Sequence, residues 1–310
     1  MRVFLAGASG AIGRRLVPQL LAAGHHVTGM ARSAERATAL RGLGIETAVA
    51  DALDAGAVRA AVAGARPEAV IHQLTALPQR IDPRRIERDF AINDRLRSEG
   101  TRILVQAAQE AGARRVIAQS IAFAYAPGAP GTIHEEADPL WLEAPSAFRR
   151  SARALAELDR AVLGADGVVL RYGYFYGPGS AISADGSVGQ DVKRRRLPVV
   201  GGGGGVWSFI QIDDAAAATV AALEAGASGA YNVVDDEPAR CAEWIPALAE
   251  ALGAGAPRRV PAWLARPLAG AYGVASMTRA QGASGALAKR ELGWTPRFPS
   301  WREGFRTALG

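Results

Sequence analysis

The hydrophobic pattern at the start of the chain predicts a strand, a turn and a helix in quick succession. Residues 2–6 (RVFLA) form a short apolar run, which is typical of a buried strand. Residues 14–23 place Leu16 and Leu20 at helical spacing. Only residues 7–13 (GASGAIG) separate the two elements, so they must form the turn that joins strand to helix.

The glycines of this turn have the spacing found in dinucleotide-binding folds. Gly7 permits a tight turn, Gly10 lets the backbone approach a pyrophosphate, and Gly13 lets the helix pack closely on the strand. The N-terminus of the helix then faces the phosphates, because its unpaired N–H groups favour negative charge. The turn residues that we predict to contact a dinucleotide are Gly7, Ser9, Gly10, Ala11, Ile12 and Gly13.

The alternation of apolar runs and amphipathic stretches continues along the chain. Further strands are predicted at residues 27–32, 45–51, 69–74, 115–120, 167–171 and 231–234, and long helices at about 83–111 and at 146–163. Strands and helices that alternate in this way predict an α/β fold, a Rossmann-like doubly wound parallel sheet. His72 lies inside an apolar strand and is predicted to be a packed core residue.

The predicted domain organisation has two parts. Residues 1–172, with strands from 206–234, are expected to form the cofactor domain. Residues 173–205 and 235–310 are expected to form a small C-terminal substrate lobe, in which the glycine run 201–205 makes a mobile turn.

Ligands of such a sheet lie beyond the carboxyl ends of its strands. The second strand ends at Arg32-Ser33, and the first acid after it is Glu35. An arginine there accommodates the 2′-phosphate of NADP, whereas a carboxylate binds the 2′-hydroxyl of NAD, so NADP(H) is favoured over NAD(H). Asp51 either bonds the adenine amino group or caps the next helix. The other cofactor contacts predicted at strand ends are Ala52, Leu74, Thr75, Ala76 and Ser120.

Composition excludes several other classes of protein. The chain has 310 residues, 49% of them hydrophobic, and no apolar run approaches the length that spans a bilayer. A single cysteine, Cys241, rules out an internal disulfide and fits a reducing cytoplasm, and no metal-ligand cluster is expected. The net charge is +6, but its one dense run, residues 193–196, has no interleaved aromatics. We therefore expect a small-molecule substrate, no nucleic acid and no membrane.

Several motifs together resemble the extended short-chain dehydrogenase/reductase superfamily, of the NAD-dependent epimerase/dehydratase type. They are the glycine turn, Gly100-Thr101, residues 170–179 (LRYGYFYGPG), residues 207–215 (WSFIQIDDA), Tyr231-Asn232-Val233 and residues 290–296 (RELGWTP). The resemblance implies a Rossmann-like cofactor domain, a small substrate lobe and often a homodimer. It also implies cofactor contacts at Tyr172, Gly173 and Phe175.

The catalytic pattern of that superfamily is missing. Its Tyr-x-x-x-Lys pair would fall at Phe148 and Ala152, or one residue later at Arg149 and Arg153. The only lysines are Lys193 and Lys289, and neither has a tyrosine four residues before it.

Other residues near the cleft must then carry the chemistry. Tyr125 is the predicted proton donor, with Ser120 beside it, and Arg153 is a candidate replacement for the lysine as a cofactor contact. Arginine holds its proton at neutral pH and cannot donate it. The remaining polar residues expected near the cleft are His134, Arg149, Tyr172 and Tyr174.

Three hypotheses follow for the function. The first is an atypical NADPH-dependent oxidoreductase that reduces a ketone or enone of a small organic metabolite, or works in reverse. The second is a sugar-nucleotide epimerase or dehydratase, or an enzyme of rearrangement or cyclisation that keeps its cofactor bound. The third is an NADP(H) sensor without catalysis.

Overall fold

A computed structural model describes residues 1–78, 85–225 and 228–309. Pro83, where the long central helix is predicted to begin, lies outside these ranges. The strands in chain order are β1 (Arg2–Ala6), β2 (His26–Ala31), β3 (Glu46–Val49), β4 (Ala69–His72), β5 (Arg115–Ile121), β6 (Ile133–His134), β7 (Val168–Tyr172), β8 (Tyr174–Tyr176), β9 (Val199–Val200), β10 (Val206–Trp207), β11 (Phe209–Gln211), β12 (Gly229–Val233), β13 (Ala239–Arg240), β14 (Arg259–Val260) and β15 (Gly282–Ala283).

The helices surround these strands. In chain order they are α1 (Gly13–Ala22), α2 (Ala34–Arg41), α3 (Ala55–Ala65), α4 (Ile86–Asp89), α5 (Ala91–Arg95), a π-helical turn (Leu96–Gly100), α6 (Thr101–Glu110), α7 (Ser146–Leu163), α8 (Ser187–Lys193), α9 (Ile212–Ala225), α10 (Cys241–Ala251), α11 (Ala262–Arg279), α12 (Ala286–Leu292) and α13 (Trp301–Thr307).

A seven-stranded parallel sheet forms the centre of the fold. Its strand order is β12-β7-β5-β4-β1-β2-β3, and each neighbouring pair is parallel. The order reverses between β1 and β4, so the loops after these two strands diverge and leave a crevice at the carboxyl edge. The predicted fold class, a doubly wound Rossmann-like sheet, is confirmed.

Helices cover both faces of this sheet because the strands are apolar on both sides. On one face, Leu16 and Leu20 of α1 pack with Ala218 of α9 and Leu292 of α12. On the other face, side chains of α3, α6 and α7 form a second core, which includes Val58, Leu104 and Leu158. A parallel sheet buried on both faces needs near-continuous apolar strands, which explains the patterns of β1 and β4.

The stretch 206–234 divides between two regions. Of the strands within it, β12 is the edge of the main sheet, whereas β10 and β11 pair with β13 and β8 in small separate sheets. Around them, the aromatic side chains of Phe209, Trp244, Trp301 and Phe305 form a core of their own with α10 and α13. The predicted domain limits stay a prediction.

The glycine run 201–205 joins this core to α11. The N–H of Gly205 donates to the carbonyl of Met277 at 3.0 Å, and a Cβ on Gly205 would overlap the backbone of Ser276 and Met277. Gly203 has φ +63° and is equally close to Ala242. These glycines permit close backbone packing against α11, and the mobility expected of the turn stays a prediction.

His72 is a buried residue at the end of β4, as predicted, and is 2% exposed. Its Nδ1 accepts from the N–H of Leu74 at 3.1 Å, so the ring proton is on Nε2, which faces the carbonyl of Leu96 at 3.4 Å. Burial, with a smaller contribution from the nearby charge of Arg97, lowers the pKa of His72 to about 4.

The neutral state of His72 predicts a loss of stability in mild acid. The unfolded chain takes up this proton near the ordinary histidine pKa of 6.5 and the folded chain only near 4, so the free energy of unfolding falls as pH drops through that window. The loss from this residue is on the order of 3 kcal/mol. Urea denaturation at several pH values measures it, with His72→Gln to remove the effect and exposed His26→Gln as the control. An NMR titration in which the His72 ring protonates near pH 6.5 would contradict the prediction.

Candidate active site

The turn between β1 and α1 is shaped by close backbone contacts. Gly7 has φ +105°, and a Cβ on it would lie 2.6 Å from the carbonyl of Gln73. A Cβ on Gly13 would overlap the backbone of Gly7 and Ala8. At Gly10 the nearest atom to a Cβ would be the carbonyl oxygen of Gly7 at 3.3 Å, and Gly10 is exposed. The turn therefore needs Gly7 and Gly13 for its own packing and leaves the outer side of Gly10 open to a ligand.

This geometry fits the pyrophosphate of a dinucleotide. Ser9, Gly10 and Ala11 lie at the surface of the turn, directly before the first helical residues, while Ile12 packs inward into the core. Backbone N–H groups at the start of a helix are an anion site, and a backbone without side chains lets a phosphate approach.

The loops after β2 and β3 lie along the same edge of the sheet. Arg32 is exposed, and Ser33 caps α2 by accepting from the N–H of Arg36 at 3.3 Å. Asp54 caps α3, so Asp51 is not the cap, and one Asp51 oxygen accepts from the N–H of Leu53 at 2.9 Å.

The loop after β4 continues this edge. Leu74 and Ala76 are partly buried and Thr75 is exposed. The N–H of Ala76 donates to Oδ1 of Asn93 at 3.1 Å, which fixes the loop against the central helices. Ala52 is buried beneath it in the same core cluster as Ala6. The fold thus brings the predicted cofactor contacts of β1, β2, β3 and β4 to one edge, and their individual contacts with the cofactor stay predictions.

Tyr125 lies in a buried hydrogen-bond network rather than free in the cleft. Its hydroxyl donates to Oδ1 of Asn232 at 2.6 Å and accepts from Nη1 of Arg171 at 2.9 Å. Arg171 also bonds the carboxylate of Asp159, at 2.6 Å from Nη2. Burial raises the pKa of Tyr125, although Arg171 opposes this. One face of the Tyr125 ring stacks on His134, with ring centroids 4.8 Å apart.

Ser120 belongs to the same buried region. It is fully buried, and its hydroxyl lies near Asp159 without a well-aligned hydrogen bond. The hydroxyl groups of Ser120 and Tyr125 therefore both face interior groups of the protein. Their catalytic roles stay predictions.

The cofactor contacts predicted after β7 are Tyr172, Gly173 and Phe175, and they lie in different surroundings. The hydroxyl of Tyr172 lies in the core, 3.1 Å from Nε2 of Gln73 and 2.7 Å from Oγ1 of Thr219, and burial raises its pKa to about 12. A Cβ on Gly173 would lie 2.6 Å from the carbonyl of Ser208, so this glycine permits a close backbone contact. Phe175 is partly buried and its ring lies 5.3 Å from that of Tyr172.

Arg153 does not join these residues. Its side chain is 60% exposed on the outer side of α7 and lies 3.9 Å from Glu143. Arg149 is also exposed. The inward side of α7 carries Phe148 and Ala152, which are 5% and 0% exposed. Phe148 and Ala152 are one of the two registers predicted for the tyrosine and lysine of the superfamily pattern, and in that register the helix presents an apolar surface.

Two residues that the sequence did not assign to the site lie next to this surface. The ring of Tyr272, from α11, stacks on Phe148 with centroids 4.4 Å apart. Arg97, in the π-helical turn that packs on α7, is 5% exposed. Neither residue belongs to a motif that the sequence alone assigned to the site.

A pocket of about 100 Å³ opens between the loop after β5 and α11. Its walls are largely aromatic and include Phe123, Trp141, Tyr174 and Tyr272, and Arg279 lies at its edge. Tyr174 is held between Phe123 and Trp207, with centroids 4.0 and 3.8 Å away, so one wall is rigid. His134 also faces this pocket and bonds Asp138 at 2.8 Å through Nδ1.

A sequence profile of the NAD dependent epimerase/dehydratase family matches residues 3–234, which is about three quarters of the chain. The chain belongs to this family. The cofactor class is therefore a nicotinamide dinucleotide, and the binding of its pyrophosphate at the glycine turn stays a prediction.

Individual relatives extend the comparison. The chain is 49% identical over 308 residues to 3-diazoavenalumate denitrifying reductase from a Streptomyces species, across 98% of this chain and 99% of that protein. The crystal structure of UDP-glucose 4-epimerase from Thermus thermophilus with NAD is 26% identical, covers 100% of this chain and 98% of that one, and has a TM-score of 0.75. A human epimerase family protein solved with NADPH shares the fold, at 21% identity, a TM-score of 0.74 and coverage of 100% and 99%.

These similarities confirm that this protein is an enzyme of the oxidoreductase type. Across the ranges that the structure describes, no helix is long and apolar enough to cross a membrane. Within the same ranges, His, Cys, Asp and Glu side chains form no group of three or more that could hold a metal ion.

The Tyr125 network predicts the effect of removing one hydroxyl. Tyr125→Phe leaves Oδ1 of Asn232 and an N–H of Arg171 without this buried partner, which is expected to lower the free energy of unfolding by about 1–3 kcal/mol. Urea denaturation followed by circular dichroism measures the change. Tyr272→Phe is the control, because its hydroxyl has no hydrogen bond to the described residues. A Tyr125→Phe variant as stable as the parent protein but inactive would instead support Tyr125 as the proton donor.

Proposed function

We propose that this protein is an NADPH-dependent reductase of a small aromatic or conjugated carboxylic acid. The observation that carries the proposal is an intact glycine turn of the dinucleotide-binding type, combined with a helix α7 that contains neither a tyrosine nor a lysine in either predicted register. Such a site suits a reduction in which the substrate accepts a hydride and needs no proton from the protein. The bound reduced cofactor supplies that hydride from its nicotinamide ring.

Loss of nitrogen from a diazo-substituted arene has this property. An arenediazonium carbon that gains a hydride forms a C–H bond, and the group leaves as N₂, so atoms and charge balance without a proton. The relative that is 49% identical is named as a denitrifying reductase of a diazo compound, which supports this substrate class. Transient oxidation of a sugar alcohol, as in epimerases, requires a base that takes the hydroxyl proton, and the apolar surface of α7 offers none.

The pocket supports a flat, acidic substrate. Aromatic walls from Phe123, Trp141 and Tyr174 favour a planar conjugated system through offset stacking. Arg279 is exposed at the pocket edge and has no ion pair with any described residue, so its guanidinium is available to a carboxylate.

A homodimer, which the family resemblance implies, stays a prediction.

The choice of NADPH rests on Arg32. This side chain is exposed beside the cap of α2, where the adenosine ribose of a bound dinucleotide lies in this fold. A guanidinium there pairs with the 2′-phosphate of NADPH, whereas NADH presents a hydroxyl.

Arg32→Ala is expected to weaken NADPH binding at least tenfold and to leave NADH binding within twofold. The reason is the loss of a charge-assisted hydrogen bond, which contributes about 1.5–3 kcal/mol. Titration of the reduced cofactors by their fluorescence measures both constants. Arg41→Ala, at the exposed end of the same helix, is the control. Equal losses for the two cofactors would contradict the assignment to NADPH.

The reaction is tested with an arenediazonium carboxylate and NADPH deuterated at nicotinamide C4. The product is expected to carry one deuterium on the carbon that lost N₂, as read by mass spectrometry. Arg279→Gln is expected to raise KM about tenfold with little change in kcat, and Arg266→Gln on the same helix to change neither. Consumption of NADPH that leaves no deuterium in the product would contradict the proposal.

A further inference from the structure

Arg97 is a buried cation without a partner in the described part of the chain. Its side chain is 5% exposed and makes no hydrogen bond or ion pair there. Burial lowers its pKa to about 10, which leaves the guanidinium charged at neutral pH. A buried charge is costly unless it is paired, so an unpaired one in the described part of an enzyme favours a ligand as the missing partner.

The two carboxylates that attract Arg97 are bonded to other groups, although Oδ1 of Asp159 has no hydrogen bond to the described residues. The two oxygens of Asp94 bond Nε of Arg150 at 2.8 Å and the hydroxyl of Ser151 at 2.7 Å. Asp159 is bonded to Arg171 through Oδ2. These carboxylates attract Arg97 only from a distance. The guanidinium of Arg97 is thus attracted by these carboxylates but is not bonded to them.

Tyr272 provides a second unbonded polar group at the same place. Its hydroxyl has no hydrogen bond among residues 1–78, 85–225 and 228–309, and its ring lines the aromatic pocket. The ring is fixed against Phe148 by stacking at 4.4 Å. Burial raises the pKa of Tyr272, and the positive charge of Arg97 opposes that rise. The charge of Arg97 therefore acts on the hydroxyl of Tyr272.

We propose that Arg97 and Tyr272 form an oxyanion-binding pair beside α7, where Tyr272 lines the substrate pocket. The segment that carries Arg97 is bonded to α7 through Asp94 and Ser151 at 2.7 Å, and Tyr272 stacks on Phe148 of the same helix, so both elements pack on one stretch of α7. Arg97 neutralises a negatively charged oxygen of the substrate, and Tyr272 donates a hydrogen bond to it. The assignment of this oxygen to a substrate rests on the proposed reductase function.

The chemistry of the pair differs from that of Tyr-x-x-x-Lys. Arg97 keeps its proton and acts as a fixed charge, and the hydroxyl of Tyr272 remains on the protein. An aromatic substrate whose ring carries an ionised hydroxyl places a phenolate oxygen on this pair, while its carboxylate reaches Arg279 at the pocket edge. The two cations, Arg279 at the pocket edge and Arg97 beside α7, then fix the ring in one orientation.

Binding of 4-nitrophenol to the protein loaded with NADP⁺ tests the pair without turnover. The phenolate form of this probe absorbs at longer wavelength than the neutral form, so its spectrum reports the ionisation of the bound molecule. An oxyanion-binding pair is expected to lower the apparent pKa of bound 4-nitrophenol by at least one unit relative to the free probe. A spectrum that the protein leaves unchanged at millimolar probe overturns the proposal.

Variants separate the two members of the pair. Arg97→Gln and Arg97→Met are expected to abolish the spectral shift and to weaken phenolate binding at least tenfold. Arg97→Lys is expected to retain part of the shift, and Tyr272→Phe to reduce it about threefold to tenfold. Arg95→Gln, an exposed residue paired with Glu99 on the preceding helix, is the control and should bind as the parent protein does.

The melting temperature distinguishes an arginine that binds a ligand from one that supports the fold. Because Arg97 has no partner in the described ranges, Arg97→Met is expected to keep or raise the melting temperature while removing the shift. Loss of folding in both Arg97→Met and Arg97→Gln would contradict the proposal, since it would mean that the charge supports the fold. A spectral shift that depends on Arg97, in a protein without reductase activity, would support the pair and refute the proposed function. Reductase activity that does not depend on Arg97 would support the proposed function and refute the pair.

Discussion

The site depends on close backbone contacts around the glycine turn. Gly7 lies so near Gln73 that the loops after β1 and β4 touch, and Gly13 brings α1 against the same turn. No side chain can occupy these positions without moving the backbone. The contact aligns the crevice between β1 and β4 with the start of α1. The dinucleotide cradle is therefore a property of the sheet topology and three backbone positions, and it is independent of the residues that perform the chemistry.

A second consequence follows from the polar groups beneath the pocket. A chain of hydrogen bonds runs from Asp159 through Arg171 and Tyr125 to Asn232, and it satisfies most of the polar groups of these side chains. A buried network of this kind is rigid because each member is oriented by its neighbours. It fixes the floor on which the aromatic ring of Tyr125 and the ring of His134 face the pocket. The result is a shaped surface that binds through aromatic contacts, with few groups free to exchange protons.

The sequence was sufficient for the parts of the protein that depend on local pattern. The strands, α7 and the run of predicted contacts along the carboxyl edge follow from apolar periodicity and glycine spacing. The partners of Tyr125 were not predictable, because Arg171 and Asn232 are distant in sequence and meet only through strand pairing. Tyr272 was missed for a different reason. Its helix has Pro267 and a break at Gly270, where φ is +66°, so its amphipathic pattern is weak and does not show which residue faces the cofactor domain.

The break at Gly270 also affects when the site becomes complete. In a helix that carries both a tyrosine and a lysine, the pair exists as soon as that helix has folded. Here one group lies in the cofactor domain and the other on the second half of α11, which the glycines before β10 hold in place. In the proposed pair, completion of the oxyanion site therefore depends on how α11 packs on α7. The order of folding then decides when the pocket can bind an anion, because the site is complete only after the C-terminal segment has packed on α7.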